Sequence, residues 1–325
     1  MKLVEAQALS SLASYEMLER PVPTPTATEV LIRVRACGMG YVDALVATGG
    51  YQVKPPLPFT PGQEIAGVVE AVGGDVTNLK PGDRVMTSGF GGGLAEFNCA
   101  PAHRVDKIPD LLSFNAAAGF RINYLTALHG LLDRGALTPG ERVLVFGAAG
   151  GVGSAAVQLA LLLKAQVIAV ASSADKREFA ANLGAQQQLD TEPEDWRKRL
   201  KALCDGGGPD LAFDPVCGAL FEPAFRSLSW RGRHLVVGFL GDGIPKLPVN
   251  LPLMKGAALV GVDVRQFLNY QSSQAAEHLQ QLFAWVAQGR LVPPVGRCFA
   301  FDDYQAAMTF ALSGQGMGKT IVEMS

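Results

Sequence analysis

The stretch VLVFGAAGGVGSAAVQLALLL, residues 143–163, contains no charged residue. Its length and apolar character alone would satisfy a membrane-spanning helix. Four glycines in its middle, Gly147, Gly150, Gly151 and Gly153, argue against one continuous helix, because each costs about 1 kcal/mol relative to alanine in a helix interior. A strand, a turn and a helix fit better. RVLVFG, from Arg142, reads as a buried strand, and Val152, Ala156, Leu159 and Leu163 recur at helical spacing as the buried face of a helix from about Gly151 to Lys164. Between them, Ala148-x-Gly150-x-x-Gly153 matches the dinucleotide fingerprint with alanine in place of the first glycine. Residues without side chains let the backbone approach a pyrophosphate, whose charge then rests on the free N–H groups of a helix N-terminus. A degenerate fingerprint also fits a plain β–α turn; its position after a strand and before a helix favours the nucleotide reading.

Outward from this stretch the chain changes texture once. Downstream, QVIAVASS (166–173), ADKREFAANLG (174–184), PDLAFD (209–214), a helical segment near 219–229 and RHLVVGF (233–239) alternate strands with helices, which predicts a doubly wound parallel sheet. Upstream, TEVLIRVRA (28–36) places Val30, Ile32 and Val34 on one face and Leu31, Arg33 and Arg35 on the other, the period of a half-buried strand. EIAGVVEAVG (64–73) and the Pro81–Gly82 turn continue a β-rich region punctuated by Gly and Pro. After about residue 262, the helical SQAAEHLQQLFAWVAQG (273–289) and the strand-like KTIVEM (319–324) could extend the parallel sheet or return to the first region. The expected class is α/β, in two domains, as a length of 325 residues suggests.

Composition narrows the function classes. A net charge of −2 argues against a general affinity for nucleic acid or anionic lipid, and the WRKRLK cluster at 196–201 reads as a solvated helix face. Five scattered cysteines (Cys37, Cys99, Cys204, Cys217, Cys298) with no C-x-x-C pair fit neither a disulfide framework nor a zinc knot. The first twenty residues have no basic head followed by an apolar run, so no secretory signal and a cytoplasmic location are expected.

The end of the second strand of a dinucleotide-binding fold holds the group that selects the cofactor. Here it reads ASSADKRE (171–178), with Ser172 and Ser173 where an NAD-binding acid would stand and Lys176 and Arg177 just beyond. A hydroxyl and an ammonium suit a 2′-phosphate and favour NADPH. The competing reading is a helix N-cap at Ser173 with solvated basic residues.

CGMGYVDALVATGGY (37–51), LPFTPGQEIAGVVEAVG (57–73), LKPGDRV (79–85), NYLTALHGL (123–131), GAAGGVG (147–153) and VVGFLGDGIPKLPVNLPLMKGAALVGV (236–262) occur in order along nearly the whole chain. In these segments the sequence resembles the zinc-independent quinone oxidoreductases of the medium-chain dehydrogenase/reductase superfamily. The resemblance implies a GroES-like catalytic domain (1–124), a doubly wound Rossmann domain (125–262) and a C-terminal return to the catalytic domain (263–325). It also implies NADPH in the cleft between the domains, and a homodimer joined through Rossmann edge strands, here AALVGVDV (257–264).

Zinc-using relatives need three ligands to hold the metal over the substrate oxygen. Gly40 stands in place of their first Cys and Gln63 in place of the His of P-G-H-E, and no cysteine lies between Cys99 and Cys204. No metal is expected, so the acceptor must already be electron-poor: a quinone or an α,β-unsaturated carbonyl taking hydride from NADPH. Two alternatives stay open. One is an enoyl-CoA reductase of the acryloyl or crotonyl type; the other is a non-catalytic NADPH-binding structural or RNA-binding protein.

The resemblance places Thr126 against the nicotinamide, Phe239 and Val264 at its flanks, and Lys319 near the cofactor phosphates. Ala149, Gly150, Gly151 and Val152 form the pyrophosphate turn, with Ser172, Ser173 and Lys176 at the ribose phosphate. Candidate catalytic side chains are Tyr51 and Tyr41 as phenols toward the substrate, Asp43 as a loop brace or base, and Tyr124, which could reach the cleft or pack in the core. Gly40 and Ala47 replace an Asn and an Arg usual in relatives, Thr191 stands where a Tyr is frequent, and Arg121 is unusual in its apolar setting.

Overall fold

A computed structural model describes residues 1–241 and 243–324. The chain forms two compact units, Met1–Ile122 with Phe283–Ser325, and Asn123–Leu282.

In the second unit six strands lie in the order Gln187–Leu189, Gln166–Val170, Arg142–Phe146, Leu211–Asp214, Arg233–Val236, Ala258–Gly261, all pairs parallel. In chain order this is 3-2-1-4-5-6, the doubly wound arrangement whose ligands sit where the order reverses. The uncharged stretch supplies all but the first residue of the strand Arg142–Phe146, and the helix Gly151–Leu162. Both are buried on nearly every side: Val143, Leu144, Val145, Ala155, Ala156, Val157 and Leu159 are fully enclosed. A strand covered on both faces needs apolar residues at successive positions, which explains the missing charge without lipid. Among the described residues no helix is long and apolar enough to cross a membrane.

The second unit extends to Leu282, beyond the 262 boundary read from the sequence. The helix Val264–Tyr270 is held there by its one buried aromatic: Phe267 stacks on His129 with centroids 3.9 Å apart and meets His278 edge-on at 5.6 Å. Asp133 accepts from Gln274 Nε2 at 2.9 Å and lies 2.7 Å from His129 Nδ1. These side-chain contacts are invisible to a periodicity reading.

The first unit is built on a largely antiparallel sheet in the order Val295–Ala300, Lys319–Glu323, Glu29–Met39, Glu64–Val72, Arg84–Ser88, Val105–Lys107, with Phe97–Pro101 also paired to Glu29–Met39. The expected alternation holds along Glu29–Met39: Val30, Ile32 and Val34 are buried and Arg33 and Arg35 exposed, although Leu31 is buried too. The last strand returns to this sheet, pairing Thr320 with Met39 and Ile321 with Gly38. That register carries Lys319 to the Gly38–Gly40 end of the long strand.

Candidate functional site

In the second unit three loops meet at the carboxyl ends of the central strands. The first is the glycine turn. Gly147 takes φ +57°, which alanine would adopt only with strain, and Gly150 N–H donates to Gly147 O at 2.8 Å. Gly153 lies so close beneath that a Cβ there would stand 2.1 Å from Gly147 O. The helix opens at Gly151, and its first backbone capping bond comes from Ser154 N–H to Gly150 O. The N–H groups of Gly151, Val152 and Gly153 therefore have no carbonyl ahead of them. A Cβ at Gly150 would meet nothing closer than Gly147 O at 3.4 Å. The residues present thus fit an anionic group: bare backbone donors at the positive end of a helix dipole, with a glycine surface facing them.

The second loop follows Asp214. Asp214 Oδ1 accepts from Val216 N at 2.9 Å and Cys217 N at 2.8 Å, and Oδ2 lies 3.0 Å from His234 Nε2. Both side chains are buried, so this pair holds the loop against the neighbouring strand and uses His234 for positioning. A Cβ on Gly147 would lie 3.3 Å from Val216, which shows how closely the first two loops approach. The third loop, carrying half-exposed Phe239, is tied by Gly241 N–H to Val216 O at 2.8 Å. Aspartate at the head of a turn is a readable Asx signal; its partnership with a histidine on another strand is not.

At the end of Gln166–Val170, Ser172 is exposed, and Ser173 caps the helix Ala174–Asn182 by accepting from Lys176 N at 3.3 Å. The Ser173 hydroxyl keeps its proton for a further acceptor. Arg177 turns back to the carbonyls of Ala171 at 3.1 Å and Ser172 at 3.4 Å, bracing the turn. Burial lowers the Lys176 pKa below the ordinary lysine value. Thr126 is buried in the helix Arg121–Leu128, and Val264 opens a helix capped by Asp263. Tyr124 is 2 % exposed, its phenol donates to Gln158 Oε1 at 2.5 Å, and burial pushes its pKa far up.

In the first unit a charged cluster lies at the Gly38–Gly40 strand end. Lys319 Nζ lies 2.7 Å from Glu64 Oε2, and Glu64 Oε1 accepts from Ile122 N at 2.8 Å. The lysine stem runs through a slot cleared of side chains. A Cβ at Gly119 would stand 2.7 Å from Lys319 Cβ, one at Gly38 would stand 3.0 Å from Lys319 Cε, and one at Gly40 would stand 3.2 Å from Lys319 Nζ. Burial alone would lower the Lys319 pKa, but Glu64 and Asp43 more than reverse this and hold it above the ordinary value.

Asp43 Oδ2 accepts from Gly40 N at 2.7 Å and Oδ1 from Gln63 N at 2.8 Å. One oxygen serves the N-cap of the helix Tyr41–Ala47 and the other reaches the backbone of Gln63, 20 residues on. Burial nevertheless raises the Asp43 pKa. Tyr41, first in that helix, and Tyr51, against the first unit's core, are partly buried, and their phenols have no hydrogen-bond partner among the described residues. Arg121 donates to Asp106 at 2.9 Å and to Ser88 Oγ at 2.9 Å, which accounts for a charge in apolar surroundings. Among the described residues no group of three or more His, Cys, Asp or Glu could hold a metal ion.

Comparison with known proteins matches residues 26–110 to the alcohol dehydrogenase GroES-like domain and residues 151–284 to the zinc-binding dehydrogenase family. The quinone oxidoreductase-like protein 2 homolog of Nematostella vectensis is 34% identical, over 91% of this chain and 81% of its own. The chain belongs to the quinone oxidoreductase family of the medium-chain dehydrogenase/reductase superfamily. The quinone oxidoreductase of Thermus thermophilus, solved also as its NADPH complex, is 31% identical with a TM-score of 0.84, covering 99% of this chain and 100% of that one. The CurK enoyl reductase is 26% identical with a TM-score of 0.89, covering 100% and 99%. The zinc in the second family's description attaches to residues 151–284, whereas the positions where zinc relatives carry the first Cys and the His of P-G-H-E are held by Gly40 and Gln63, neither of which supplies a thiolate or imidazole.

Proposed function

We propose that this oxidoreductase uses NADPH to reduce a quinone or an α,β-unsaturated carbonyl. The observation that carries the reading is the glycine turn at the topological switch point, where the helix's own ladder leaves the N–H groups of Gly151, Val152 and Gly153 over. NADPH, when bound, supplies a hydride to the electron-poor carbon of the acceptor. Ala149, Gly150, Gly151 and Val152 receive the pyrophosphate. Ser172, Ser173 and Lys176 receive the ribose phosphate, and Lys319 offers a phosphate the two ammonium protons that its bond to Glu64 leaves over. Thr126, Phe239 and Val264 set the nicotinamide. Tyr51 and Tyr41 carry phenolic protons that no described residue claims, and one of them protonates or steadies the acceptor's developing oxyanion. Asp43 holds the Gly40 turn. Tyr124 keeps the helix carrying Thr126 in place through Gln158.

The test is the loss of reduced-nicotinamide absorbance with quinones, enones and enoyl-CoA esters offered in parallel. Turnover of quinone or enone is expected. Exclusive turnover of the thioesters would favour the second reading, supported by likeness to the CurK enoyl reductase; NADPH binding without turnover would leave a binding role. In the same assay Lys176→Ala is expected to raise the KM for NADPH about tenfold and leave NADH unchanged. An equal effect on both cofactors would remove Lys176 from the phosphate site.

The reading extends to a cytoplasmic homodimer. Ala258–Gly261 is the sheet's edge, paired on one side only, and it leaves Leu259 44% exposed with Leu253 and Met254 more exposed still. A bare apolar edge strand invites pairing with a second copy. Leu259→Asp is expected to convert the dimer to monomer in light scattering; an unchanged mass would place the interface elsewhere.

A further inference from the structure

The groove on the first unit between the strand Val295–Ala300 and the helix Tyr304–Leu312 has features that the reductase reading does not use. Arg297 and Phe299 alternate onto one face of an edge strand. The Arg297 guanidinium lies 4.7 Å from the Phe299 ring centroid and 5.2 Å from that of Phe310. Those two rings are 5.7 Å apart and tilted by 52°. The cation is thus positioned by aromatic faces, which satisfy its charge in part and none of its N–H groups. Among the described residues it has no carboxylate and no hydrogen-bond acceptor.

The groove is open to solvent, with a volume of about 520 Å³, and no acidic residue lines it. Its lining includes the rings of Phe299 and Phe310 and the side chain of Ala306. The Thr309 hydroxyl already donates to Gln305 O at 2.8 Å and the Ser313 hydroxyl to Phe310 O at 2.7 Å. The strongest uncommitted donor is therefore the guanidinium fork, over an apolar wall. Planar, two-pronged acceptors match that fork best, and the apolar wall asks for an uncharged body attached to one.

We propose that this groove binds a small organic monocarboxylate, its carboxylate on Arg297 and its apolar body against Phe299 and Phe310. The helix that lines the groove with Ala306, Thr309 and Phe310 buries Tyr304, Ala307 and Met308 on its other face, so the ligand adds to a formed surface.

The probe is 4-phenylbutyrate, with 4-phenylbutanamide as the uncharged match, titrated into the full-length protein and followed by ligand-observed NMR. Saturable binding of the acid is expected, with the amide at least about tenfold weaker, as loss of a charge-assisted pair implies. Arg297 is exposed, so Arg297→Gln should fold normally, and it is expected to bring the acid down to the affinity of the amide. Phe310→Ala should weaken both ligands. Equal affinity for acid and amide, undiminished binding by Arg297→Gln, or no saturation up to about 10 mM would each overturn the proposal. None of these outcomes depends on turnover or on NADPH.

Discussion

Gly150→Asp is expected to leave the protein folded and to weaken NADPH binding by about 100-fold or more, the effect of several kcal/mol of like-charge repulsion. The position separates binding from stability. Gly150 has φ −76°, an ordinary backbone for any residue, and a Cβ there would meet only Gly147 O at 3.4 Å. The new carboxylate would stand at the N-terminus of Gly151–Leu162, where it satisfies the helix dipole and takes the place of the pyrophosphate. The melting temperature should therefore hold or rise slightly while affinity falls. Gly153→Ala makes the contrast: its Cβ would collide with Gly147 O at 2.1 Å, so stability and binding fall together. Calorimetric titration with NADPH beside a thermal melt reads both. Gly150→Asp binding NADPH like the parent would remove the glycine turn from the cofactor site.

This turn was legible because its chemistry is local: strand, glycines and helix N-terminus fall within residues 142–162. The half-buried strand from Glu29 was legible for the same reason, since alternation is a property of neighbours. Leu31 departed from the pattern: it is buried although it alternates with the exposed Arg33 and Arg35. At Ser173 the helix-cap reading is the one the contacts display, with the side chain accepting from Lys176 N.

Contacts between distant segments were not legible. Asp214 and His234 are 20 residues apart and both buried; Glu64 and Lys319 are 255 apart, with Glu64 buried and Lys319 largely so. Charge in a sequence marks a solvated face by default, so a lysine before a terminal strand carries no sign that it will be enclosed. Gly38, Gly40 and Gly119 were the available clue, since three side-chain-free positions around one lysine stem imply close approach. Recognising them required the register of the last strand. Tyr124 shows the same limit from the other side: helical spacing gives the face it occupies, and only the packed unit shows that Gln158 lies there.

The Lys319–Glu64 pair supports the second large expectation. Glu64→Ala is expected to destabilise the protein by about 3–5 kcal/mol, as removal of one partner from a buried ion pair does. For a chain of this size that lowers the melting temperature by about 10 °C. The ammonium would keep only the charge of Asp43, and the N–H of Ile122 would lose its acceptor. Glu64→Gln with Lys319→Met should recover part of the loss, because both charges leave together and the amide oxygen can still accept from Ile122 N. The pH dependence gives an independent check. Lys319 is raised above the ordinary value of 10.5, so its contribution is complete below that pH and lost as pH rises through the folded value. The stability difference between the parent and Lys319→Met should stay flat from neutral pH to about 10 and shrink above about 11. Asp43 acts in the opposite sense: raised by burial, its carboxyl binds a proton more readily folded than unfolded, so it does not add to acid lability. A difference that disappeared instead between neutral pH and about 9 would mean that Lys319 is not held charged by the two carboxylates.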